Sequence, residues 1–172
     1  MSIRVLLATV GFGVLLTTSL NAQVNLRDTT SGIAFQLPRN WIGISRPGFL
    51  SMRLEDPSGW PTFLITSMVE ALVGQRVKID QYKRITYETH YEHYGAPERW
   101  HERDTVFRGL PSYVVDFSYP HGGDGEEVFV RRIVVFKNRT ACVLSAESRE
   151  EHWEALLEHF SAALQTAEIP TK

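Results

Sequence analysis

Glu127-Val128-Phe129-Val130-Arg131-Arg132-Ile133-Val134-Val135-Phe136-Lys137 is the stretch on which the fold turns. In an extended strand alternate side chains point to opposite faces. Val128, Val130, Val134 and Phe136 then fall on one face, and Phe129, Ile133 and Val135 on the other. A strand that is apolar on both faces lies inside a sheet covered from both sides.

The neighbouring segments agree with an interior strand. Thr140 to Glu147 and Pro111 to Tyr119 are strand-like, and the links around them are short: Arg108-Gly109, Pro120 to Glu126 and Asn138-Arg139. Such links force antiparallel pairing, because a parallel crossover needs a dozen or more residues. Arg99 to Phe107 is polar on both faces, Glu102 and Asp104 against His101 and Arg103, which suits an exposed edge. Further upstream, Ile33 to Leu37 is a short strand ended by Pro38, Asn40 and Trp41. Ser51 to Glu55 and Thr62 to Val69 form a hairpin about the turn Asp56-Pro57-Ser58-Gly59, where Pro presets φ and Gly tolerates positive φ.

Two helices are predicted. Val77 to Tyr94 carries Ile79, Tyr82, Ile85 and Thr89 at intervals of three and four, and stops at Gly95 and Pro97. The second follows Ser148 and Glu151, spaced as a capping box, and its Trp153, Leu156, Leu157, Phe160 and Leu164 make one apolar stripe. One helix over each face of the sheet gives an α+β fold, an α-β-α sandwich with a central antiparallel sheet flanked by helices.

The chain has 172 residues, 43% hydrophobic and 22% charged, with a formal net charge of −2. Neither wholesale disorder nor nucleic-acid binding by charge neutralisation fits these values. Arg4, then the uncharged run Val5 to Leu16, then small residues ending at Ala22 have the form of a cleaved signal peptide over residues 1–22. The run is short for a bilayer span, so the mature chain is expected to be periplasmic or extracellular, without stable membrane insertion. A polar lead-in over 23–30 and a single domain over 31–170 are expected to follow. Cys142, the one cysteine, sits in the apolar run Ala141-Cys142-Val143-Leu144 and is expected as a buried structural thiol.

Chemistry-bearing motifs are sparse. His90 and His93 are three apart on the first helix, but with only Glu88 and Glu92 nearby a solvated helix face is the leading interpretation. In the loop Pro120-His121-Gly122-Gly123-Asp124-Gly125-Glu126, the side chains of His121, Asp124 and Glu126 are candidate ligands for a divalent cation such as Ca²⁺, Mn²⁺ or Zn²⁺. The loop lacks the EF-hand order of ligands, so a plain turn is the leading interpretation here too. Arg131 and Arg132 interrupt the apolar strand and are candidates to bind an anion or a partner's carboxylate, against the alternative of pairing within the fold. Glu102 and Asp104 share a face about 7 Å apart, but on an exposed strand water keeps both ionised. No Gly-x-Ser-x-Gly elbow is present. The chain is therefore expected to be no enzyme and to use no cofactor, with an enzyme of unrecognised site as an alternative.

The opening Gly32-Ile33-Ala34-Phe35-Gln36-Leu37-Pro38 with Trp41, the later Gly109-Leu110-Pro111-Ser112-Tyr113, and a last strand followed by a helix bearing Trp153, Leu156 and Phe160 have a familiar order. On these motifs, over about Ser31 to Ile169, the chain resembles the PsbP-like family, which includes the extrinsic PsbP subunit of photosystem II and, more distantly, bacterial DcrB-type envelope proteins. The resemblance implies an α-β-α sandwich, an exported location and a non-catalytic accessory or assembly role. The implied partner is an envelope or membrane-associated protein.

Overall fold

The structure is a computed structural model that describes residues 23–27, 32–38, 41–46, 49–54, 64–71, 79–121, 125–137 and 140–169, for parts of the strands before 79 and at 140 by backbone alone. The leader 1–22 and the turn Asp56-Pro57-Ser58-Gly59 lie outside these residues.

The interior strand is β8 (Glu126–Lys137), paired antiparallel with β7 (Leu110–His121) on one side and β9 (Thr140–Arg149) on the other. Among the described strands β6 (Trp100–Phe107) pairs with β7 alone and forms the expected polar edge. Beyond β9 lie β5 (Leu64–Ala71), β4 (Phe49–Leu54) and β3 (Trp41–Arg46), giving a seven-stranded antiparallel sheet in the order β3-β4-β5-β9-β8-β7-β6. The hairpin turn between β6 and β7 has positive φ at both Arg108 (51°) and Gly109 (79°), the backbone that a tight two-residue hairpin demands.

Two elements differ from the sequence-based expectation at the amino-terminal end. Gln23–Arg27, expected as part of a polar lead-in, is strand β1 and pairs with β2 (Ala34–Pro38) in a separate ribbon. Trp41 begins β3 rather than closing the strand before it. Its side chain is buried, with its ring centre 5.5 Å from that of His159 in an edge-to-face contact, a partner far away in sequence.

The helices α1 (Ile79–Tyr94) and α2 (Trp153–Thr166) cover opposite faces. On the α2 face, Leu156, Phe160 and Ala163 pack on Ile133, Val135, Cys142, Leu144 and Ala146, with Ile33, Phe35 and Leu37 of the β2 region closing the side. Cys142 is buried as expected, and burial pushes its thiol up to about 12. The α2 carboxyl end is held by Arg108, whose Nη2 donates to the carbonyls of Gln165 at 2.7 Å and Leu164 at 3.4 Å, a favourable place for a cation.

The expected capping box at the start of this helix does not form. β9 continues to Arg149, so Ser148 is a buried strand residue paired with Phe129, and its hydroxyl donates to the Arg149 carbonyl. A 3₁₀ turn, Glu150–His152, then leads into α2 with no side-chain cap at its first residue. The first turn begins one residue later than the box requires, with Arg149 in the cap position, and the Ser148 hydroxyl is taken up by the Arg149 carbonyl.

Candidate functional site

The α1 face is less regularly filled. Its buried contacts run through Tyr82 and His90, with Ile79 and Thr86 partly buried, a stripe that keeps Ile79 and Tyr82 of the expected one and has Thr86 and His90 in place of Ile85 and Thr89. Ile85 is 47% exposed. The reason is tertiary. Tyr82 packs against Tyr113 and Phe136, and the Thr86 hydroxyl lies 3.2 Å from the Tyr113 hydroxyl. His90 sits 5.0 Å from the Phe117 ring and 5.6 Å from Trp100, both brought by strands that follow the helix.

His90 therefore departs from the solvated face expected for it. It is buried, and burial lowers its pKa from 6.5, assisted by the positive charge of Arg132. His93 does remain exposed, with Nδ1 2.8 Å from the Thr89 carbonyl.

Between α1 and the sheet lies a cleft of about 450 Å³. Strand register explains its floor. Arg132 of β8 is paired with Ser145 of β9, and Val130 with Glu147, so Arg132 and Glu147 sit diagonally on one face. Phe117 and Tyr119 of β7 lie alongside, opposite Val130 and Val128. Arg132 Nε donates to Ser145 Oγ at 3.1 Å, and its guanidinium lies 5.5 Å from the Phe117 ring centre. The Tyr119 hydroxyl donates to Glu147 Oε2 at 3.3 Å, and Tyr94 stacks on the Tyr119 ring at 4.8 Å.

The electrostatics of this floor are those of a desolvated polar site. Burial raises the pKa of Glu147, against the opposing pull of Arg132 and the Tyr119 hydrogen bond. Burial, reinforced by the Glu147 charge, also raises that of Tyr119. Perturbed groups converging in a cleft are a common mark of a binding site.

The residues singled out from sequence fall in three places. Arg131 faces α2 and forks onto Asp116, Nε to Oδ1 at 2.7 Å and Nη2 to Oδ2 at 2.8 Å. Arg132 faces the cleft. His121 and Glu126 are register partners at the far end of the β7–β8 hairpin. There His121 is exposed and Glu126 is bound by Arg149 at 2.5 Å. Asp124 lies outside the described residues. Among the described residues, no three His, Cys, Asp or Glu side chains stand close enough together to hold a metal ion. Of the two edge-strand carboxylates, Asp104 pairs with Lys83 of α1 at 2.6 Å and Glu102 accepts from the Trp100 indole at 3.3 Å.

Glu147, Tyr119 and Tyr94 were not singled out from sequence. A signal was present for one of them: Ala141, Val143, Ser145 and Glu147 alternate onto one face, and the carboxylate breaks an otherwise small and apolar series.

No protein-family model matches the chain, and no curated protein matches it in sequence. Solved structures do match. The cyanobacterial PsbP protein CyanoP from Synechocystis aligns over 95% of this chain and 99% of its own, with a TM-score of 0.60 at 14% identity. The fold is PsbP-like. The same PsbP-like architecture extends to LpqN of Mycobacterium tuberculosis, described as involved in cell envelope biogenesis, with a TM-score of 0.61 at 14% identity over 86% of this chain and 91% of that one. It extends also to PA94 of Pseudomonas aeruginosa, a protein of unknown function described as a putative regulator, at 0.61 and 12% over 87% and 98%. Among the described residues no helix is long and apolar enough to cross a membrane.

Proposed function

We propose that this protein is an exported, non-catalytic accessory domain that binds an envelope or membrane-associated protein through the outer surface of α1. In this reading residues 1–22 are removed on export and residues 31–170 act as one unit in the periplasm or outside the cell. The observation that carries it is Tyr91 of α1, 55% exposed, between Tyr87 and Tyr94, which stay 40% and 48% exposed although Tyr87 stands edge-on to Trp100 and Tyr94 stacks on Tyr119. Protein interfaces are enriched in tyrosines that keep such exposed area, because each brings a large rigid apolar surface and a polar tip. The likeness to CyanoP and LpqN supports the same reading at the level of fold.

The test is a photo-crosslinking amino acid placed at Tyr91 in the full chain expressed in its own cell. One discrete protein adduct is expected there, and none when the same group replaces Ser161 on the exposed side of α2. Absence of an adduct specific to Tyr91 removes the proposal.

A further inference from the structure

Arg132 and Glu147 share the floor of the α1 cleft, yet each is bonded elsewhere: Arg132 through Nε to Ser145, and Glu147 through Oε2 to Tyr119. Among the described residues the two terminal amino groups of Arg132 and Oε1 of Glu147 have no further partner. The cleft thus presents an open guanidinium fork and an open carboxylate oxygen, side by side on adjacent strands, under aromatic walls.

We propose that this cleft binds a small zwitterion of the α-amino-acid type with an apolar or aromatic side chain, its carboxylate on Arg132 and its ammonium on Glu147. Three observations support it. The fork of an arginine matches a carboxylate in two parallel hydrogen bonds. The two charges stand diagonally on neighbouring strands, a separation of about 7 Å between side-chain roots, which leaves space for one small ligand between them. Tyr94, Tyr119, Phe117 and Ile85 offer an apolar lining for the rest of the molecule, and about 450 Å³ is within the range of small-molecule sites.

The cost of the arrangement argues in the same direction. Burial works against the charge of Glu147, and Arg132 and Tyr119 offset it only in part. A ligand ammonium at Oε1 would add an opposite charge to this carboxylate. This proposal does not depend on the α1 outer surface binding a protein.

Calorimetric titration of the full chain with L-phenylalanine, 3-phenylpropionate and 2-phenylethylamine tests it. Phenylalanine is expected to saturate one site, and each half-ligand to bind about tenfold more weakly or worse, the loss of one charged contact. Arg132→Gln should weaken phenylalanine and phenylpropionate but not phenylethylamine, and Glu147→Gln the converse. Thr89→Trp, an exposed position on the cleft wall remote from the core, should abolish all binding in a chain that still folds. No heat with phenylalanine up to about 10 mM, well above a weak millimolar site, would overturn the proposal. So would binding that survives Thr89→Trp, or equal affinity for all three compounds.

Discussion

The two faces of the sheet meet in adjacent residues of one strand. Arg131 projects toward α2 and is closed onto Asp116 by two hydrogen bonds. Arg132 projects toward α1, makes one bond to Ser145, and keeps the rest of its guanidinium for the cleft. The helices follow the same division. α2 sets Leu156, Phe160 and Ala163, all essentially inaccessible, against aliphatic strand residues. α1 touches the sheet through rings and hydroxyls and leaves a cleft beside them. One face is packed to hold the fold together, while the other gives up packing for polar groups whose bonding is incomplete.

If that division is correct, the same truncation should cost different amounts on the two sides. Phe160→Ala on α2 is expected to destabilise by about 3–5 kcal/mol, the cost of a large buried ring whose cavity cannot collapse. Tyr82→Ala on α1, also a buried ring, is expected to cost about 2 kcal/mol, because water from the adjoining cleft can enter the space. Urea denaturation of the two variants with a common m-value measures the difference. Equal losses would mean that α1 is packed as tightly as α2, and the contrast between the faces would fall.

The same division governs what could be read from the sequence. The α2 side is legible because it is made by repetition: the two-faced pattern of Val128 to Phe136 and the stripe Trp153, Leu156, Phe160 depend only on residues close in sequence. The α1 side is written in contacts between distant segments. His90 is buried because Trp100 and Phe117 arrive from β6 and β7, and no periodicity within the helix announces that. Ile85 suits a core stripe by spacing and type, yet it lines the cleft. At the chain's amino-terminal side, Gln23-Val24-Asn25-Leu26-Arg27 is polar enough to pass for a lead-in. Its pairing with β2 is a property of the ribbon, not of its own side chains. Of the cleft floor, Arg132 could be singled out because a charge interrupting an apolar strand needs an explanation. Tyr119 and Tyr94 could not, since a tyrosine in a strand or helix is ordinary until a partner is seen.

The smallest effect sharpens the comparison through pH. The folded protein holds His90 neutral to a lower pH than the unfolded chain does, because of burial and then the nearby charge of Arg132. Above the ordinary value of 6.5 neither state is protonated there, and the contribution of neutral His90 is complete. As pH falls below that value the unfolded chain takes up a proton that folded His90 resists, so stability is lost progressively down to the folded pKa. Glu147 acts with the opposite sign: its folded pKa is raised, so stability is gained as the pH falls through it. Wild type must therefore be compared with His90→Phe, which retains Glu147 and replaces the imidazole by a ring of similar size among Phe117 and Trp100. Denaturation midpoints measured from pH 8 to pH 5 should fall less steeply in the variant than in the wild type. Parallel profiles would show that His90 titrates as freely in the fold as in the open chain. The α1 face would then be wetter at its centre than its aromatic surroundings require, and His90 would belong with the cleft rather than with the wall that bounds it.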